Sequence, residues 1–504
     1  MIRTLLAGLA SASLMSPALL AETPAGAARQ LADFLDQVPA GPGYAVTVVT
    51  ADEVLLSRAT GVRHFENQAP LTTRTPIYIA SQTKAYLGLL AAALDERGIL
   101  SLDTTLDAYW GEVDFPDGFD PSDYTLRDLL HHNVPLEIDM IVQVEAYSAR
   151  LAPEHYPLFI ETFAETRKPG YSYDNLGYNL YAAILETETG KTWQDWLDEV
   201  IFDPMGWDNT SARTSDFPLE DLAWSHIWQG EDEGWAMIRP KTDGMMQSAG
   251  GLVTSVEDMA AWLQLNLRGE GPAGTGLTSS MLETAQAPGV ETHMEDRRNA
   301  AELPCSHYSL GWNICDFEGY TLYVHGGGYT GNRTMMAFSP DLGVGVAAFS
   351  NSDNQTGWFT SRTINMYLQF LTEHEQADRY RELRIEQYPV RSARSLTYRT
   401  EQRDNRRVEE LWDGWNWQPT EAELAEYVGV YDSGLPYLNL RIEPGENGLV
   451  LRWNEAVMPL EPARTDLFGA EGAMFYGIDS VEFHRDESGQ ITHVNWRDYD
   501  LPRR

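Results

Sequence analysis

Thr75-Pro76-Ile77-Tyr78-Ile79-Ala80-Ser81-Gln82-Thr83-Lys84 passes from an extended stretch straight into an apolar helical run, Ala85 to Leu94. That change of period puts Ser81 at a helix start, where backbone N–H groups have no partner inside the helix and negative charge is favoured. Lys84, one turn on, projects from the same face and can reach the serine hydroxyl. A lysine in a largely apolar pocket has its neutral form favoured by desolvation, so it can accept or relay a serine proton. The same spacing also describes an N-capping serine followed by a solvated lysine, so the pair needs support from elsewhere in the chain.

Support comes from two further stretches. Pro169-Gly170-Tyr171-Ser172-Tyr173-Asp174-Asn175 again stands at the entrance to a helix. In extended backbone Tyr173 and Asn175 point the same way. A phenol beside a cationic lysine can act as a base, and an amide two residues away can hold a substrate carbonyl while bonding Lys84. The third stretch, Tyr323-Val324-His325-Gly326-Gly327-Gly328-Tyr329, is a strand running into glycines. Missing Cβ atoms let a ligand approach the backbone at Gly327, and the Gly328 N–H can complete an oxyanion hole with that of Ser81. Each stretch alone also reads as a capped turn or a glycine-rich hairpin. In this order the three together are far more specific.

Outward from these, Tyr44 to Thr50 and Glu53 to Gly61 read as an antiparallel hairpin. Helical patterns follow over Ser81 to Arg97, Leu176 to Glu188, Trp193 to Ile201 and Ser255 to Leu267, with Gly98, Gly190 and Gly269 as stops for three of them. From Tyr308 the period returns to two. Tyr308 to Cys315, Tyr320 to His325, Thr334 to Ser339 and Val344 to Ser350 are expected to form one meander, with turns at Asp316–Gly319, Gly326–Asn332 and Pro340–Gly343. Strands at both ends with helices between imply an α+β body. Gln376 to Glu410 holds nine Arg and many Glu with little apolar periodicity, which reads as a solvated helix and linker. Beyond Trp417, short alternating runs predict a small all-β module that buries Leu440, Leu451, Trp453 and Phe483 and docks near the active-site rim. The expected division is a leader over 1–21, the main domain over 25–375, a charged linker over 376–418 and the β module over 419–504.

With the three motifs in place, the sequence resembles the serine β-lactamase-like superfamily, in the branch holding class C β-lactamases, D-alanyl-D-alanine carboxypeptidases, D-aminopeptidases and family VIII carboxylesterases. The resemblance covers about residues 40 to 370. Further landmarks are Gly98-Ile99-Leu100-Ser101-Leu102-Asp103, Leu126-Arg127-Asp128-Leu129-Leu130-His131-His132, Pro204-Met205-Gly206 and Ser248-Ala249-Gly250-Gly251-Leu252. It implies a β-lactamase/transpeptidase-like domain, an antiparallel sheet flanked by helices plus an all-helical subdomain. It also implies that Ser81 is acylated, that Lys84 and Tyr173 move its proton, and that His325 stands where many relatives carry the Lys of a Lys-Thr-Gly strand. Two departures stand out. Asn133-Val134-Pro135 replaces the Thr-Ser-Gly that often follows the motif histidine, which alters a pocket wall. His325, whose side chain ordinarily titrates near ~6.5, is expected to be a weaker and pH-dependent carboxylate anchor than lysine, favouring an esterase or peptidase over a true β-lactamase. The run Ala425-Glu426-Tyr427-Val428-Gly429-Val430-Tyr431 resembles the lipocalin-like β modules that follow such domains.

Composition sets the outer limits. The 504 residues are 43% hydrophobic and 22% charged, as in a globular protein, and 75 acidic against 36 basic side chains give a formal charge of −39. Such a charge repels nucleic acid and anionic membrane surfaces at long range. The apolar run Leu5 to Leu20, followed by Ala21-Glu22, reads as a signal peptide cleaved near Ala21 and predicts a periplasmic or secreted protein without stable membrane insertion. Cys305 and Cys315 can pair in an oxidising compartment or remain separate thiols. No metal-ligand spacing occurs, and the chemistry requires no cofactor. The expected activity is a serine hydrolase acting on a small ester, amide or D-amino-acid-containing peptide. Its rivals are a β-lactamase or D-alanyl-D-alanine carboxypeptidase and, from another class, a non-catalytic penicillin-binding sensor.

Overall fold

The computed structural model describes residues 22–38, 41–298, 303–352, 359–372, 374–471, 478–497 and 499–504. The expected leader, residues 1–21, lies outside them. The predicted hairpin is present as β1 (Gly43–Thr50) and β2 (Val54–His64), followed by the short β3 (Ala69–Pro70). The remaining strands of this sheet come more than 200 residues later: β4 (Val290–Arg298), β5 (Pro304–Tyr308), β6 (Asn313–Phe317), β7 (Tyr320–Tyr329), β8 (Asn332–Ser339) and β9 (Val344–Ser350). They form one nine-stranded sheet, β4-β5-β6-β7-β8-β9-β1-β2-β3, in which β1 pairs antiparallel with both β9 and β2. The two ends of the catalytic region therefore build a single sheet, as expected.

Alternation along β1 explains why both faces are covered. Tyr44, Val46 and Val48 join the cluster formed with α1 (Pro24–Leu35) and α6 (Phe359–Thr372), while Ala45 and Val49 face the cluster of α2 (Thr83–Glu96) and α5 (Val256–Arg268). Helix α2 is buried from Thr83 to Leu94, and its Tyr86 stacks on Trp262 of α5 at 3.9 Å between centroids. A pair of this kind contributes about 0.5–1.5 kcal/mol beyond its area burial. The glycine stops behave as predicted: Gly98, Gly190 and Gly269 all adopt positive φ, ending α2, α4 (Leu176–Thr189) and α5. The run from Trp193 is helical to Leu197 and continues as a π turn through Phe202.

One strand differs. Tyr308 to Cys315 is two strands, β5 and β6, separated by Ser309–Trp312. Gly311 has φ 91°, and a Cβ there would lie 2.4 Å from the Ala85 Cα, so this turn presses its backbone onto the start of α2. β7 also runs further than expected, through the glycines to Tyr329.

The Arg-rich segment is α7 (His374–Arg407), with Pro389 inside it. After it, eight strands from β10 (Gly429–Asp432) to β17 (Tyr499–Pro502) follow one another in chain order in a second sheet, which a Tyr431–Arg503 bridge nearly closes into a barrel. Leu440, Leu451, Trp453 and Phe483 are buried inside it. The barrel seats one turn on the catalytic region beside α3 (Asp139–Tyr147). Glu455 N–H donates to Ser148 O (3.1 Å), Ser148 Oγ donates to Trp453 O (3.2 Å), and Asn454 Nδ2 donates to Ser148 Oγ (2.6 Å).

Candidate active site

Ser81 sits in a single 3-10 turn, Ala80–Gln82, that leads into α2. The residue before it, Ala80, is held at φ 49°, a left-handed conformation that a side chain adopts only when its surroundings enforce it. Those surroundings are visible. Thr83 Oγ1 donates to Ala80 O (2.7 Å), Ile79 N–H donates to Leu252 O (3.0 Å), and Thr334 Oγ1 donates to Ile79 O (3.0 Å).

Lys84 is fully buried one turn on. Its Nζ donates to Asn175 Oδ1 (2.7 Å) and to the Ala249 carbonyl (2.8 Å), and lies 3.3 Å from Ser81 Oγ. Burial lowers its pKa to about 7, with the charge of Asp174 pulling the other way. The two shorter contacts are to oxygens that only accept. A neutral Lys84 therefore spends its two N–H bonds on them and turns its lone pair towards the serine hydroxyl.

Tyr173 closes the group from the other side. Its ring centre is 4.9 Å from Lys84 Nζ, and its hydroxyl is directed towards Ser81. Desolvation raises the phenol pKa above its usual range, partly offset by the neighbouring Ser81 hydroxyl. The residue is nevertheless 43% exposed, which tempers that rise without reversing it. Tyr173 thus holds its proton at neutral pH, the state of a donor or relay rather than of a standing base.

The third stretch arrives along β7. Pairing with β6 ends at Asn313–Val324, so from His325 onward that edge of β7 has no strand beside it among the described residues and lies against the Ser81 turn. A Cβ on Gly327 would lie 2.0 Å from Ile79 O, which explains the glycine as a close-approach residue rather than a ligand contact. Gly328 is exposed, as an oxyanion donor must be.

His325 is placed beside Tyr173, 6.0 Å between ring centres, but in a different state from the one expected. Its Nδ1 donates to Gly326 O (2.8 Å) and its Nε2 accepts from the Tyr308 hydroxyl (3.1 Å). Desolvation first, and then the charge of Lys84, bring its pKa to about 3. Both nitrogens are engaged and the ring is neutral, so the expected pH-dependent carboxylate anchor is corrected to a neutral wall residue.

Sequence reading missed the supports of this group. His132 is buried at φ 58°, its ring 4.6 Å from that of Tyr173. Its carbonyl accepts from Ser172 N–H (3.0 Å), and its Nδ1 accepts from Asp174 N–H (3.4 Å). Asp174 in turn lies 2.8 Å from Arg167. Burial would raise the Asp174 pKa, but the neighbouring His132 ring and the Arg167 charge win and hold it low. The available sign was position, since Asp174 stands between Tyr173 and Asn175. In the departed segment, Arg167 donates to Val134 O (2.9 Å), so Asn133-Val134-Pro135 is tied to the same network.

Cys305 and Cys315 face each other across β5 and β6 and are joined as a disulfide. Among the described residues, no group of three or more His, Cys, Asp or Glu is placed to hold a metal ion, and no helix is long and apolar enough to cross a membrane.

The profile of the Beta-lactamase family matches residues 31–368. Penicillin-binding protein 4 of Amycolatopsis lactamdurans is 25% identical over 335 residues, covering 63% of this chain and 83% of that protein. A D-aminopeptidase of Brucella anthropi is 25% identical over 336 residues, covering 65% of this chain and 59% of the relative, so the chain spans about three fifths of that relative's length. The octameric penicillin-binding protein homologue from Pyrococcus abyssi has a TM-score of 0.55 over 94% of this chain and 98% of its own, at 18% identity, a likeness of fold.

Proposed function

The chain belongs to the Beta-lactamase family of serine hydrolases, and on that premise we propose that it is an exported enzyme that hydrolyses a small ester, amide or D-amino-acid-containing peptide through an acyl-enzyme on Ser81. The observation that carries the reading is the Lys84 environment. A buried amine with two obligate acceptors and the Ser81 hydroxyl around it is arranged as a proton acceptor for that hydroxyl.

In the proposed cycle Ser81 Oγ bonds to the substrate carbonyl carbon while its proton passes to Lys84. The oxyanion rests on the N–H groups of Ser81 and Gly328. Tyr173, still protonated, hands a proton to the departing alkoxide or amine and is refilled from Lys84. Water then attacks the acyl carbonyl, giving its proton to the same pair, and Ser81 leaves protonated. Asn175 orients Lys84 and offers its amide to the substrate.

The neutral His325 supports an esterase or aminopeptidase-like preference over a β-lactamase or carboxypeptidase, whose substrates present a carboxylate to this strand. The leader-like run Leu5 to Leu20 supports export to the periplasm or medium. The test is intact-mass analysis after a fluorophosphonate, with turnover of a chromogenic ester, a D-amino acid amide and a chromogenic cephalosporin. One adduct on Ser81, absent from Ser81→Ala, is expected. An equal adduct on Ser81→Ala defeats the reading.

A further inference from the structure

A second buried lysine stands near the end of β7, and the cycle above does not use it. Lys241 is 6% exposed. Its Nζ donates to Ala146 O (2.6 Å) and is surrounded by three aromatic rings, those of Tyr329 at 4.4 Å, Tyr78 at 5.1 Å and Tyr147 at 5.6 Å. Tyr329 directly follows Gly328, and Tyr78 lies three residues before Ser81. The two rings touch, 5.4 Å between centres, and Tyr147 stacks on Tyr329 at 6.2 Å. The box is thus built from the residues that flank both oxyanion donors.

The electrostatics of this box are unusual for the chain around it. Burial alone brings the Lys241 pKa to about 7, with no carboxylate among the described residues opposing it. In a protein with 75 acidic side chains, a buried ammonium without an anionic partner is a costly arrangement. Aromatic faces recover part of that cost, and an ammonium has three donors, of which the Ala146 carbonyl takes one. Lys241, Tyr78, Tyr329, Thr214 and Ser225, with Arg239 as a second and exposed cation, line a cavity of about 20 Å³. That is room for about one water or one carboxylate oxygen.

Resting on the acyl-enzyme reading above, we propose that the Lys241 box is an anion subsite that takes a carboxylate carried by the substrate. Its Tyr329 wall lies four residues beyond His325 on β7, roughly 13 Å along the strand at its usual rise. The carboxylate recognition lost where His325 is neutral is thereby supplied at the other end of the glycine run, for a different part of the substrate. An incoming carboxylate supplies the missing counter-charge and accepts from the remaining ammonium donors. The preferred substrates are then esters or amides whose acyl part ends in a carboxylate, such as half-esters or half-amides of dicarboxylic acids.

The experiment uses the full chain carrying Ser81→Ala, which binds without acylation, and isothermal titration with the p-nitroanilides of glutaric acid (free carboxylate) and butyric acid (neutral). The glutaric compound is expected to bind about tenfold or more tightly, and Lys241→Met in the same background is expected to bring the two within about twofold. Equal affinities with Lys241 in place overturn the proposal without any variant of the box being needed. A preference that survives Lys241→Met, or Lys241→Gln where the first variant does not fold, overturns it too and leaves the lysine a packing cation. Because binding is read without turnover, failure here is distinct from failure of the Ser81 reading, which the fluorophosphonate adduct reports.

Discussion

The Tyr308 hydroxyl lies 3.1 Å from Nε2 of His325, and the other ring nitrogen is spent on the carbonyl of the next residue, so the histidine belongs to the sheet's own hydrogen bonding. Two neutral bonds and a pKa near 3 mean that its charge does not change across the working range of an enzyme. The NMR signal of His325 is therefore expected to show no titration between about pH 5 and 8, and His325→Gln to lower kcat/KM by less than about tenfold. A protonation step in that range restores the anchor role.

Lys84 has the opposite pH signature. The amine must be neutral to take the serine proton, so kcat is expected to rise with pH through about 7 and then level off. Linkage fixes the sign for stability. Between about 7 and the ordinary lysine value of 10.5 the unfolded chain binds more protons than the folded one, so the Lys84 contribution makes stability rise with pH across that window. Lys84→Met removes the base and the desolvation cost together. It is expected to lose about 10³-fold or more in kcat while its melting temperature at neutral pH stays level or increases. A variant that is both active and less stable contradicts the assignment.

Tyr173→Phe keeps the ring over Lys84 and removes the hydroxyl directed towards Ser81. A fall in kcat of roughly 10²-fold or more is expected, with KM changed little. The loss should be smaller for an ester with a good leaving group, such as a p-nitrophenolate, than for an amide, because only the amine needs the proton. Equal losses for the two assign Tyr173 to packing.

The Cys305–Cys315 bridge joins β5 to β6 just before the strand that carries His325. A loop of about eleven residues is expected to add roughly 2–3 kcal/mol on the chain-entropy account. Thiol titration of the denatured, unreduced protein should find none, and dithiothreitol should lower the melting temperature. Two titratable thiols dismiss the bridge.

Removal of the barrel tests its effect on the rim. Ser148, clamped by the Trp453–Glu455 turn, follows Tyr147, which stacks on Tyr329. The cut belongs after Arg407 rather than before α7, because Ala377 and Tyr388 of that helix are buried against α1 and α6. Such a variant is expected to react with a fluorophosphonate at Ser81 yet show a raised KM for bulky substrates. If it folds but does not react at all, the barrel completes the catalytic group itself.

The parts of this site legible in the sequence are those whose geometry is local. Ser81 with Lys84, and Tyr173 with Asn175, each lie within one helical or extended step, so spacing alone aligns them. The centre of the nine-stranded sheet was legible because alternation marks its strands on either side of a long helical middle, whereas β3 and β4 at its two edges carry no such pattern and were not read. What spacing does not report is a partner brought in by folding. The Ala249 carbonyl that receives Lys84, Tyr308 under His325, and Lys241 among three tyrosines all come from distant segments. The turn at Ser309–Trp312 was hidden because Tyr308 to Cys315 alternates well enough to read as one strand. Gly311 within it was the available sign that another backbone comes close.

Closure of the barrel also has a place in time. The seam joins Tyr431 to Arg503, and Arg504 N–H donates to Val430 O (2.9 Å), so the first barrel strand waits for residues about seventy positions downstream. Until those residues are in place, the turn that clamps Ser148 has no finished body behind it. A chain cut short of Arg503 would therefore carry its nucleophile beside an unfinished rim. A fusion partner attached directly after Arg504 would sit on the seam, where crowding bears on barrel assembly before it bears on chemistry.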